Sequence, residues 1–136
     1  MMRTMTLLAA MIVLLPHLAA AHVVRHSSIP QPFWGTWGSG AAQCVPADKQ
    51  TIVLAAKTYV SDAAQCDVEY VSETPSPKGS TYSASLQCTD SSAASPKKAG
   101  MTLIFRSAGD GRISVGRDFD SLVDYRRCAA NKPAQK

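Results

Sequence analysis

From residue 65 onward, apolar and polar side chains alternate with a period of two in several short runs, the pattern of strands with one buried face. Gln65–Glu73 and Thr81–Thr89 are the clearest pair. Between them lies Thr74-Pro75-Ser76-Pro77-Lys78-Gly79-Ser80, a stretch of turn formers with nothing to bury. A hairpin folded about Pro77 sets Cys66 opposite Cys88, Val68 opposite Leu86, Tyr70 opposite Ala84 and Ser72 opposite Tyr82. That face is mostly apolar. The other holds Gln65, Asp67, Glu69, Val71 and Glu73 against Gln87, Ser85, Ser83 and Thr81, nearly all polar. A slip by one residue would mix the faces.

Met101–Ser107 and Arg112–Asp118 predict a second hairpin across Gly109-Asp110-Gly111. A three-residue loop with Gly111 left-handed pairs Phe105 with Val115, Ser107 with Ile113 and Met101 with Phe119. It leaves Thr102, Arg106, Ser114 and Asp118 outward. A two-residue loop would put Phe105 and Val115 on opposite faces, so three is preferred. Earlier in the chain, Phe33 to Trp37 predicts a short first strand and Thr51–Val60 a second, although Leu54-Ala55-Ala56-Lys57 would also suit a helix. Leu122–Cys128 reads as the closing strand, and Asp90–Ala99, rich in Ser, Ala, Pro and Lys, as a mobile loop. No long stretch has helical periodicity. The expectation is an all-β chain of about seven antiparallel strands, forming a small barrel or sandwich.

The first 21 residues follow another pattern. Arg3 precedes the apolar run Met5–Leu15, Pro16 ends it, and Ala19-Ala20-Ala21 suits a signal peptidase. The run is about half of the roughly 20 residues that span a bilayer, and no cysteine near the cleavage point could take a lipid anchor. The expected organisation is therefore a signal peptide over 1–21, a flexible lead-in over 22–32, one β domain over 33–130 and a tail over 131–136. The product would be exported, periplasmic or secreted, with no membrane span after cleavage.

That compartment changes the meaning of the cysteines. All four (Cys44, Cys66, Cys88, Cys128) follow residue 21, an even number in an oxidising setting. Three pairings are open, and the hairpin register favours Cys66–Cys88, which leaves Cys44–Cys128. The chain-entropy model gives about 3.4 kcal/mol for the shorter loop and about 4.6 kcal/mol for the longer. Zinc binding is the alternative, but no two of the thiols form a CxxC pair.

Charge is uneven along the chain. Residues 22–96 carry four basic and six acidic side chains, and 97–136 carry nine basic and four acidic. The basic end could meet an acidic protein face or an anionic envelope polymer, and Lys97 and Lys98 at its start, with Lys78 in the 74–80 loop, are candidate binding contacts. Nothing matches a nucleic-acid-binding motif, and the expected state is a monomer.

Catalytic machinery is hard to assemble from what remains. The histidines beyond residue 21 are His22 and His26, both in the polar lead-in, where neither a relay nor a metal site is expected. The cysteines are expected to be oxidised, which removes a thiol nucleophile. Asp67 and Glu69 read as the solvent side of a hairpin, and Asp118, Asp120 and Asp124 as loop residues. No phosphate-binding or dinucleotide motif occurs, so neither a cofactor nor an enzymatic activity is expected. Phe33, Trp34 and Trp37 make the densest aromatic patch. Alternation sends Trp37 inward and leaves Trp34 as a candidate anchor for a protein or a sugar.

Gly35-Thr36-Trp37 near the start, with Arg126 and Arg127 on the last strand, resembles the lipocalin-like signature. In that superfamily a G-x-W on the first strand is covered by an arginine from the last. The resemblance implies that Trp37 lies at the barrel base with Arg127, or less readily Arg126, across its face. The chain is short for a lipocalin, which argues against a large cavity. A non-enzymatic module that binds a protein partner, a hydrolase among the classes to inhibit, is the first functional expectation. A carrier of a small apolar ligand and an envelope-polymer binder follow.

Overall fold

The computed structural model describes residues 22–40, 44, 48–90, 94 and 97–128. The expected signal peptide, the 131–136 tail and half of the expected 90–99 loop lie outside the described residues, and Asp90, Lys98 and Ala99 at the ends of that loop belong to strands instead. The alternating runs become nine strands: β1 Val24–His26, β2 Gly35–Gly38, β3 Thr51–Leu54, β4 Thr58–Val60, β5 Ala64–Thr74, β6 Thr81–Asp90, β7 Lys98–Gly109, β8 Arg112–Gly116 and β9 Val123–Arg127. From β2 to β9 each strand pairs antiparallel with the next, and β9 returns to pair with β2. The result is an eight-stranded up-and-down barrel. Strand β1 is added on β5, opposite Val71–Glu73, on the same edge that β4 uses nearer the start of β5. Among the described residues no helix is long and apolar enough to cross a membrane.

Both disulfides form as expected. Cys66 stands opposite Cys88 across β5 and β6, with Cα atoms 3.9 Å apart, and both are buried. Cys44–Cys128 ties the segment after β2 to the end of β9. Two disulfides indicate an oxidising compartment.

The hairpin register departs from expectation beyond Val68. A bulge at Glu69 shifts the pairing, so that Tyr70 meets Ser85, Val71 meets Ala84 and Glu73 meets Tyr82. Val71 therefore faces the core, fully buried, and Tyr70 turns outward beneath Arg25. Extra residues of this kind re-aim every side chain that follows. The second hairpin uses the same device. Its turn is Asp110-Gly111, both left-handed (φ 54° and 70°), closed by Gly109 opposite Arg112. A shift at Ala108 restores Ser107 to Ile113 and Phe105 to Val115. The three-residue loop is thus a two-residue primed turn plus a bulge, which suits the strand twist better. Phe119 does not pair with Met101. It sits in the 3-10 turn Phe119–Ser121, capped by the Asp118 carboxylate.

Three further expectations need correction. Thr51–Val60 is not one strand or a helix but a tight hairpin, with the Ala55 amide donating to Thr58 O at 3.0 Å. The 22–32 lead-in is not without structure. It supplies β1, and Ile29 is fully buried with its amide on Ala56 O at 2.9 Å. Phe33 lies in the 3-10 turn Gln31–Phe33 rather than a strand. From there it plugs the barrel end, edge-on to Phe105 at 4.9 Å and to Tyr82 at 5.1 Å. Phe105, Leu86, Leu103, Leu54, Ile52 and Trp37 fill the interior, each at most 3% exposed.

Candidate binding surface

At the barrel end closed by Phe33, β9 delivers Arg127 inward opposite Trp37. Its guanidinium carbon lies 4.2 Å from the indole centroid, while its nitrogens donate to Trp34 O at 2.6 Å and Pro32 O at 3.0 Å. The Trp37 indole N–H donates to Phe33 O at 2.9 Å. Gly35 is required by this crossing: its φ is +132°, and a Cβ there would stand 2.6 Å from the Arg127 guanidinium. Arg126, the other candidate for the lid, faces outward instead, opposite Arg112 and Gly38. Beside the lid is a hollow of about 190 Å³ bordered by Pro32, Phe33, Ile113 and Arg127.

Trp34, between the 3-10 turn and β2 rather than within a strand, is 38% exposed, and its indole N–H donates to Ile29 O at 2.7 Å. The ring is therefore held in place while part of it stays exposed. Lys78 lies in the β5–β6 turn at this same end. Lys97 and Lys98 stand at the other end, where Lys98 approaches Asp67 at 3.8 Å with both side chains well exposed. The three lysines do not form one patch.

A larger concavity, of about 740 Å³, lies between the β5–β6 turn and the outer wall of the barrel. Its floor is a row of outward residues at one level: Thr81 pairs with Arg106, Arg106 with Ser114, and Ser114 with Asp124. Ser114 is nearly buried and donates to Asp124 at 2.5 Å, and Arg112 approaches the same carboxylate at 3.6 Å. Lys78 and Ser76 contribute from the turn. No sequence motif points to this cleft, because only the strand register brings four separate runs to one level.

A second cluster went unanticipated. His26 was expected in a flexible lead-in, yet β1 holds its Nε2 2.7 Å from Glu73. Ser80 and Tyr82 donate to the other Glu73 oxygen at 2.6 and 3.2 Å. These hydrogen bonds, that of Ser80 foremost and then that of His26, hold the Glu73 carboxyl below its ordinary pKa. Burial, reinforced by Glu73, pushes the Tyr82 phenol up and keeps it a donor. Here the carboxylate stands between serine and imidazole, whereas a hydrolytic relay needs the imidazole between the other two. The cluster fastens β1 to β5 and β6.

At the opposite mouth the Tyr59 and Tyr125 phenols are raised chiefly by burial, so both remain protonated hydroxyls. Val123 is exposed there. No family model, curated protein or solved structure matches the chain.

Proposed function

We propose that this chain is an exported, non-enzymatic module that binds a protein partner through its outer surface, a hydrolase being one class of partner it would inhibit. The observation that carries this reading is where the space lies. Large side chains occupy the barrel interior, and among the described residues a concavity of about 740 Å³ lies on the outer wall. A carrier of an apolar ligand needs the reverse arrangement. Two disulfides and a plugged end give a scaffold that loses little freedom on binding, and such preorganisation favours affinity. Trp34, exposed and held, is the aromatic anchor of this surface.

The lipocalin-like resemblance is supported in one respect, Arg127 lying across Trp37 in an up-and-down barrel. On the present reading that geometry closes the barrel rather than shaping a ligand cavity.

The test is an affinity capture from envelope and culture extracts with the oxidised protein as bait and a reduced, alkylated bait as control. The captured protein is then purified and titrated. A stoichiometric complex with the oxidised form alone supports the reading, and loss of the partner's hydrolytic activity identifies an inhibitor. A sharp rise in melting temperature with a small apolar compound, without any protein complex, would overturn it in favour of a carrier.

A further inference from the structure

The outer cleft has a charge pattern that the fold itself does not use. Lys78 and Arg106 line it, and neither has an ion-pair partner among the described residues. Next to it Arg112 and Arg126 are directly opposed across β8 and β9. Like charges in that relation destabilise a sheet. Asp124 offsets part of this through Arg112, and Ser114 holds its other oxygen. Glu73 is occupied by Ser80 and His26, and Asp110 sits out at the turn tip. The wall is therefore a cationic face with one fixed acid at its edge.

We infer that this cleft binds an extended acidic segment of the protein partner, its carboxylates meeting Arg106, Lys78 and Arg112. The inference rests on the binding-module reading above. Geometry favours a strand-like ligand. Arg106 and Arg112 are diagonal neighbours on adjacent strands, because Arg106 pairs with Ser114. Such neighbours are about 7–8 Å apart, close to the repeat of alternate side chains on an extended chain, about 6.7 Å. Guanidinium groups suit carboxylates because they bond them in bidentate fashion. Asp124 disfavours a uniformly anionic polymer, which would have to lay charge against it. A peptide of mixed composition can place a hydroxyl there instead.

The probe is a synthetic peptide of alternating Glu and Thr, titrated into the oxidised protein and followed by amide chemical shifts. Polyphosphate serves as the polymer comparison. Shifts are expected at Lys78–Thr81 and Arg106–Gly109, fading as salt is raised to about 1 M, where screening acts over about 3 Å. R106Q with K78Q should leave the melting temperature unchanged, since neither side chain has an ion-pair partner among the described residues, and weaken the peptide by about ten-fold or more. D124N should tighten it several-fold. Shifts confined to Lys97 and Lys98, no shifts at all, or tighter binding of polyphosphate at the cleft would each overturn the inference. A captured protein partner held equally by the double variant would sink the cleft yet leave the binding module standing. Peptide binding at the cleft with no protein partner would do the opposite.

Discussion

Arg127 closes the barrel by touching three parts of the chain at once: the face of Trp37 and the carbonyls of Trp34 and Pro32. One side chain from the last strand thereby fixes the first barrel strand and the 3-10 turn before it. A cation–π contact contributes about 0.5–1 kcal/mol at an exposed site, and charge-assisted hydrogen bonds add to that. R127A should cost about 2 kcal/mol, lowering the melting temperature by roughly 10 °C. R127K keeps the charge but loses the two-pronged donor, so it should recover less than half of the loss. G35A should destabilise as well, but combining it with R127A should cost less than the sum, because the clash disappears while the φ strain stays. Additive losses in denaturant unfolding would show that Gly35 and Arg127 do not act through each other.

The two disulfides should differ in what their loss does. Removing Cys44–Cys128 costs up to about 4.6 kcal/mol of chain entropy. It frees the end of β9, whose Cys128 amide donates to Thr36 O at 2.9 Å. Removing Cys66–Cys88 costs up to about 3.4 kcal/mol by the same model and also leaves buried volume unfilled, since both cysteines sit in the core. C66A with C88A should therefore lose more than the entropy alone, and C66A with C88V should recover part. Equal stability of these two variants, measured by denaturant unfolding, would rule out the packing contribution.

Much of this fold was legible because period-two patterning marks strand faces over short range. Alternation turns Trp37 inward, and together with the position of the turn it gives the Cys66–Cys88 register and the Phe105–Val115 pair. Bulges defeat it: nothing in Val68-Glu69-Tyr70-Val71 announces that Glu69 is an extra residue, since Tyr70 and Val71 are both acceptable in a core. Strand β1 was hidden for a related reason. Three residues with the burial pattern of an edge carry no period, and only the partner strand shows why His26 is there. The cleft depends on registers between four runs, so no local signal could have revealed it.

The bulge gives a sharp contrast between neighbours. Val71 is fully buried, whereas Tyr70 is 36% exposed beneath Arg25. Truncating a core valine to alanine costs on the order of 2 kcal/mol, so V71A should exceed Y70A, which is expected to stay near 1 kcal/mol. The unbulged register requires the reverse order. Unfolding midpoints of the two single variants decide between them.

Stability should fall in acid through Glu73. Its pKa is lowered in the folded state by Ser80 first and then by His26, with Tyr82 adding a further hydrogen bond, against a partial burial that raises it. A lowered folded value contributes stability that is complete above the unfolded value, about 4.3, and is lost as pH falls through the folded value. The wild-type unfolding midpoint should therefore drop, as pH falls below the unfolded value, by more than that of E73Q, which should be weaker at neutral pH and flatter in acid. Because Glu73 fastens His26 of β1 and receives Tyr82 of β6, its protonation should loosen β1 before the barrel opens. Hydrogen exchange would show this as early loss of protection at Val24–His26 while the amides of β6 and β7 stay protected. Parallel pH profiles for wild type and E73Q would mean that Glu73 does not carry the acid response.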